Sequence, residues 1–116
     1  MGTRSPRDPS LPVIQGTLDV LILKALVPGP QHGYGISGWI RGRTDGDLDV
    51  EDGALYQALH RLAHKEWIEA EWGVSDNNRR ARFYRLTTLG RRELRAAEDV
   101  WRRYARAVFR ILDNPA

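Results

Sequence analysis

Cysteine is absent from this sequence, which excludes disulfides, thiolate zinc sites and thiol redox chemistry. Long hydrophobic runs are absent too, and none approaches the ~18 residues of a membrane-spanning helix. The opening MGTRSPRDPSLP lacks the hydrophobic centre of a signal peptide. A cytoplasmic chain with no membrane partner is the expectation. With no thiol, and with His32, His60 and His64 lacking supporting residues, the sequence offers no nucleophile–base pair, so no enzyme is expected. His60 and His64, spaced i, i+4, could share one metal, but no third ligand is positioned nearby. The acidic run DGDLDVED (residues 45–52) superficially matches a calcium loop, yet it puts Val50 where that loop requires glycine and has no glutamate at its twelfth position. Neither cofactor nor metal is expected. One further absence is local: residues 54–65 contain no carboxylate. Carboxylates repel phosphate, so a helix free of them is suited to a polyanion.

What is present fits one domain. A chain of 116 residues supports a single core, and its 41% apolar and 28% charged content is ordinary for a globular protein. The net charge of +3 is unevenly placed. Residues 79–110 hold eleven arginines against Glu93, Glu98 and Asp99, whereas residues 45–52 hold five carboxylates and no base. Such asymmetry points one surface towards a polyanion, although part of the arginine set serves only to solvate a helix.

Residues 1–14 carry three prolines and two arginines without periodicity and read as a flexible arm. Residues 17–27, TLDVLILKALV, read as a helix with Thr17 as its cap and Asp19 at the positive end, stopped by Pro28, Gly29 and Pro30. This helix is apolar nearly all round, so it needs cover on every side, and a second copy of the chain is the natural source. Residues 32–44 predict a second helix entered through glycines, with Tyr34, Ile36, Trp39 and Ile40 as its apolar side. A short strand is expected at 48–50.

Residues 50–68 predict the helix on which the fold centres. Leu55, Ala58, Leu59 and Leu62 recur at i, i+3, i+4, i+7, and the opposite face carries Gln57, His60 and His64 with Tyr56 and Arg61 at its flanks. Glu51 and Asp52 suit its positive end. Alternating residues at 68–73 and 82–87, joined by Asp76, Asn77 and Asn78, predict a β-hairpin. Three helices and a hairpin give a winged helix-turn-helix, with Arg79, Arg80 and Arg82 on the wing. Residues 88–112 form the longest predicted helix. Gly90, Leu94, Ala97, Trp101, Tyr104, Val108 and Ile111 make a heptad seam that asks for a partner helix, the alternative being a helix folded back on its own domain. The predicted class is mainly α with a small β-hairpin: a winged helix-turn-helix at 15–87 followed by a dimerisation helix at 88–113.

The stretches QGTLDVLILKAL, HGYGI, ALYQALHRL, IEAEWG and NNRRARFYRLTTLGRREL, with the final aromatic-bearing helix, resemble the PadR family of bacterial transcriptional regulators in the same order. The resemblance implies a homodimeric repressor whose last helix packs on the first helix of the other subunit. It also implies a pseudo-palindromic operator in double-stranded DNA, with one recognition helix per half-site. The candidate DNA-binding set is Ala54, Tyr56, Gln57, His60, Arg61, His64 and Lys65 on the helix and Arg79, Arg80 and Arg82 on the wing; of these, Tyr56, Arg61, Arg79 and Arg80 match positions that contact DNA in the family. Leu94, Ala97, Trp101, Tyr104 and Val108 of the seam are the candidate dimer and effector positions. Trp101 aligns with an aromatic that stacks on flat ligands in multidrug-binding relatives; here it either receives a small aromatic effector or fills the seam. Two departures stand out. Ala54 lacks the hydroxyl usual in the family, and Gln57 replaces a proline common in short relatives and can pair bidentately with adenine. The competing reading is a winged-helix module that binds protein without specific DNA recognition.

Overall fold

Pro28, Gly29 and Pro30 end the first helix and force the chain into an extended path, because a residue before proline is kept out of the helical region. The computed structural model describes Leu11, Val13 and residues 16–114. Helix α1 spans Thr17–Ala25, and the extended path after it becomes β1, Gln31–His32. Helix α2 (Gly33–Arg43) and helix α3 (Asp52–His64) follow, then strands β2 (Ile68–Val74) and β3 (Arg80–Leu86), then helix α4 (Thr88–Leu112). The sheet is antiparallel in the order β1-β3-β2, with Gln31 opposite Tyr84 and Ile68 opposite Leu86. The two-residue strand β1, which covers one edge of the hairpin, was not legible in the sequence.

The core is the meeting of three helical faces with the base of the hairpin. Ile22, Leu23 and Leu26 of α1, Ile36 and Ile40 of α2, Leu55, Leu59 and Leu62 of α3, and Ile68 of β2 are all but fully buried. The predicted seam of α3 is buried in full, Ala58 included. Helix α2 differs from expectation. Its inward face is Gly33, Ile36, Ser37 and Ile40, whereas Tyr34 is 81% exposed. Two residues separate Tyr34 from Ile36, about 200° around a helix, so both cannot face inward.

Three other expectations are corrected. Thr17 does not cap α1: the N-cap is Gly16, and the Thr17 hydroxyl instead accepts a hydrogen bond from Trp101. The segment at 48–50 forms no strand of its own; Leu48 makes one isolated parallel bridge with Leu11, whose N–H donates to Asp47 O at 2.7 Å, and Val50 is a buried plug ahead of α3. Nor does α1 need a second chain for most of its cover. Leu18, Ile22, Leu23, Ala25 and Leu26 are buried within the protomer, leaving Val20 and Leu21 half-buried. Of the arm at 1–14, only Leu11 and Val13 are described, the latter packed against the core; the rest of that expectation lies outside the described residues.

Helix α3 also stops earlier than its apolar pattern does. Trp67 N–H donates to Leu62 O at 3.1 Å and Glu66 N–H to Ala63 O at 3.0 Å, with Glu66 at φ 63°. These two bonds around a left-handed residue are a Schellman ending, and they release Ile68 into β2. Helix α4 is seated on this turn. Thr87 N–H donates to Trp67 O at 3.1 Å, and Gly90 N–H donates to the Thr87 hydroxyl at 2.9 Å as the N-cap bond. Gly90 lies so close that a Cβ there would be 2.0 Å from Trp67 O. Two substitutions on this joint should therefore move stability in opposite directions. Glu66→Gly relieves the left-handed strain and is expected to stabilise by about 1 kcal/mol. Gly90→Ala drives a methyl into a carbonyl and is expected to destabilise by about 2 kcal/mol or more. Thermal unfolding of the two variants checks both signs.

Candidate nucleic-acid interface

The face of α3 opposite its seam is open to solvent. Ala54, Tyr56, Gln57, His60, His64 and Lys65 are all exposed there. Tyr56 is oriented by the glycine-rich entry to α2: its ring lies across Gly33, where a Cβ would stand 3.1 Å from the phenol oxygen. Lys65 lies over the Trp67 ring with its Nζ 4.6 Å from the centroid. Arg61 behaves differently from its neighbours. It is half-buried and its guanidinium bonds the Asp19 carboxylate of α1.

The wing extends beside this face. Its turn is closed by Ser75 N–H donating to Arg79 O at 2.8 Å and Asn78 N–H donating to Ser75 O at 2.9 Å, with Asn78 in the left-handed region that asparagine tolerates. Arg79, Arg80 and Arg82 are exposed. The Arg80 guanidinium stacks 4.6 Å from the Trp72 ring centroid, while Arg85 and Glu69 pair directly across the other face of the hairpin. Between the start of α2, Tyr56 and the wing runs an open groove of about 770 Å³, lined by Tyr34, Tyr56, Trp72, Arg79, Arg80 and Arg82. The groove brings Tyr56 of the helix set together with Arg79, Arg80 and Arg82 of the wing, while Ala54, Gln57, His60, Arg61, His64 and Lys65 lie outside its lining. Tyr34 and Trp72 are additions to that set. The signal for Tyr34 was present in the phase of α2, since Gly33, Ile36, Ser37 and Ile40 already occupy its inner face.

Tyr84 belongs to the same groove and is buried. Burial pushes its phenol above the ordinary pKa; Arg82 draws it partly back, and the neighbouring Tyr56 adds to the rise. The phenol is neutral at physiological pH, so the charged side chains of the groove are Arg79, Arg80 and Arg82 with Asp76 at the turn.

The positions named for dimer and effector divide in two. Leu94 is buried in the core of its own chain, whereas Ala97 is half-buried and lines the open cleft beside Trp101. Trp101, Tyr104 and Val108 are exposed, Tyr104 at 67%. Trp101 stands where α4 crosses α1, its Nε1 donating to Thr17 Oγ1 at 3.1 Å, and Lys24 pairs with Glu98 nearby at 3.4 Å. A cleft of about 420 Å³ and another of about 320 Å³ flank the indole, both bounded by Val20 of α1. Among the described residues, no group of three metal-ligating side chains occurs and no helix is long and apolar enough to cross a membrane.

A core of three helices, a hairpin wing beside the third and a long terminal helix define a winged helix-turn-helix protein. The chain belongs to the transcriptional regulator PadR-like family, whose pattern its residues 22–96 match. It is similar to an uncharacterized protein of Lysinibacillus sphaericus, 38% identical over 90 residues that cover 77% of this chain and 82% of the relative. Among solved structures it is similar to a transcriptional regulator from Clostridium thermocellum, with 29% identity, a TM-score of 0.76, and coverage of 84% of this chain and 94% of that one. A PadR family regulator from Clostridium difficile matches with 27% identity and a TM-score of 0.70, over 82% of this chain and 97% of the other. The family is one of regulators of transcription, not of enzymes.

The raised pKa of Tyr84 has a signed consequence for stability. The folded state holds the proton more tightly than the unfolded chain, so the contribution is intact below the ordinary phenol value of about 10 and is lost as pH rises beyond it. Denaturant unfolding across the alkaline range should show wild type losing stability faster than Tyr84→Phe.

Proposed function

We propose that this chain is a homodimeric, sequence-specific DNA-binding repressor that acts in the cytoplasm on a pseudo-palindromic operator. The observation that carries the reading is an exposed helix face free of carboxylates from Ala54 to Lys65, whose Tyr56 shares one open groove with the arginine-tipped wing. Residues 15–87 bind DNA in this scheme, and residues 88–113 join the two subunits. Helix α3 enters the major groove, where Tyr56, Gln57 and His60 read base edges, and His64 and Lys65 stand further along the same helix. Arg79, Arg80 and Arg82 hold the sugar-phosphate backbone, with Tyr34 and Trp72 supplying aromatic walls for it. Ala54 makes van der Waals contact only.

The dimer follows from α4. Beyond Trp101, the residues Tyr104, Val108, Phe109, Ile111 and Leu112 are exposed on one protomer, and a second copy of the same helix with α1 covers them. Trp101 then lies near the twofold axis, where it lines two clefts. A small planar aromatic compound that stacks there is the effector that releases the repressor.

Selection of bound fragments from random duplex DNA tests the central claim. An inverted repeat with half-sites one helical turn apart is expected, and Gln57→Ala should relax the preference at one base pair per half-site. About 6–10 phosphate contacts per dimer would weaken binding by ~10³–10⁵ between 50 and 200 mM salt. Failure to enrich any duplex, or binding indifferent to salt, would leave the protein-interaction module as the answer. For the effector, titration with planar cationic dyes or phenolic acids should quench tryptophan emission in wild type and much less in Trp101→Leu. Equal quenching in both would assign Trp101 to seam packing alone.

A further inference from the structure

Arg61 lies on the flank of the recognition helix, yet its guanidinium is directed back into the domain. It bonds Asp19 in the first turn of α1, a pairing between residues 42 apart in sequence. The Asp19 side chain keeps 19% of its exposure and that of Arg61 39%, so the pair is partly withdrawn from water and less screened than a surface pair. A guanidinium carries five donors in a fixed fork, and turning that fork towards a phosphate means giving up this carboxylate. The two engagements compete.

The turn that holds Asp19 is itself held from the other side. Trp101 of α4 donates its indole N–H to Thr17 Oγ1 at 3.1 Å, two residues before Asp19. At the far end of α1, Lys24 pairs with Glu98 of α4 at 3.4 Å, and Glu98 also holds Arg102 at 3.1 Å. Helix α1 is therefore clamped to α4 at both ends and to α3 through one ion pair.

We propose that Asp19 is a positioning residue that withholds Arg61 from the DNA backbone, and that the α1 turn it shares with Thr17 is the point where α4 acts on the recognition helix. In the state described, the Arg61 guanidinium is committed to Asp19 and adds no phosphate contact of its own. Displacing Trp101 moves Thr17, and with it Asp19, so a change at α4 alters how many cations α3 presents to DNA. The inference rests on the DNA-binding reading above and names the regulation of that same surface.

The test is the slope of log affinity against log salt, which counts phosphate contacts and is blind to a purely structural change that makes or breaks none. It is measured with full-length protein on an operator recovered by selection. Asp19→Asn frees Arg61, and the slope is expected to steepen by about one per subunit, since each phosphate contact contributes about 0.9. Asp19→Asn combined with Arg61→Gln, which has the wild-type net charge, should return the slope to its wild-type value. Arg61→Gln alone should leave the slope unchanged, and it serves independently where Asp19→Asn folds poorly. Trp101→Phe, which keeps a ring but removes the N–H, should steepen the slope in the same direction as Asp19→Asn.

Flattening of the slope by Arg61→Gln alone would overturn the proposal, because Arg61 would then be a phosphate contact despite its pairing. An unchanged slope in well-folded Asp19→Asn would overturn it too, leaving the pair as a structural brace. An unchanged slope in Trp101→Phe would overturn the link to α4. All of these outcomes presuppose a salt-dependent wild type; if wild type itself binds no DNA, the DNA-binding reading fails first.

Discussion

The carbonyl of Trp67 is the joint on which the rest of the molecule depends. It lies one residue past the Schellman ending of α3 and one before β2, and it receives the Thr87 N–H between β3 and α4. Recognition helix, wing and long helix are thus referenced to one backbone atom. The Thr87 hydroxyl lies 2.8 Å from Glu66 O and 3.0 Å from Trp67 O while accepting the N-cap bond from Gly90, which ties the start of α4 to the same turn. Only glycine fits at position 90, because the helix approaches that carbonyl more closely than a methyl allows. Tilting α4 would then tilt the wing relative to α3.

Several of the long cations on the surface are held by stacking on a ring, beside others held by ion pairs. Three of the four tryptophans lie under a cation: Trp39 under Arg43, Trp67 under Lys65 and Trp72 under Arg80. Each contact is worth only about 0.5–1 kcal/mol at an exposed site. Its larger effect is on entropy, since a free lysine or arginine carries about 2 kcal/mol of rotamer freedom that binding must otherwise remove. Lys65 and Arg80 flank the proposed DNA face, and both are already oriented. The fourth tryptophan, Trp101, instead commits its N–H to Thr17 and lines two clefts.

Legibility in the sequence followed the strength of the periodic signal. The seam of α3 and the full extent of α4 could be read off, because each repeats an apolar spacing over several turns. The hairpin was legible from its alternation and from Asp76, Asn77 and Asn78. What failed was local or long-range. Strand β1 has two residues, too few to show any period, and exists because β3 offers it an edge. Tyr34 was assigned inward on hydrophobicity, when the phase of α2 places it outward in the groove. The sequence places Arg61 at the flank of α3, but nothing in it shows that Asp19, 42 residues earlier, lies within reach of the guanidinium. The apolar circumference of α1 was read as needing a partner, although α2, α3 and α4 of the same chain cover most of it.

That last correction moves the weight of the dimer argument onto α4. Its 25 residues span about 37 Å at 1.5 Å per residue, against a molecule 54 Å in its longest dimension. The heptad seam is satisfied within the chain only at its start, where Gly90 and Leu94 are buried. From Trp101 onward the seam residues are all exposed, from 37% at Val108 to 77% at Ile111. A solitary helix gains nothing by keeping that spacing, because leucine, isoleucine and phenylalanine in water reduce solubility without adding to the fold. The arginines off the seam, from Arg91 to Arg110, keep the remaining faces hydrated and leave one stripe apolar. A second α4 laid along that stripe would bury what the first domain cannot reach. It would also bring each subunit's Trp101 towards its counterpart, next to the α1 turn that carries Asp19. The same helix that joins the subunits would then hold the turn that governs Arg61, so assembly and DNA contact would share one mechanical element.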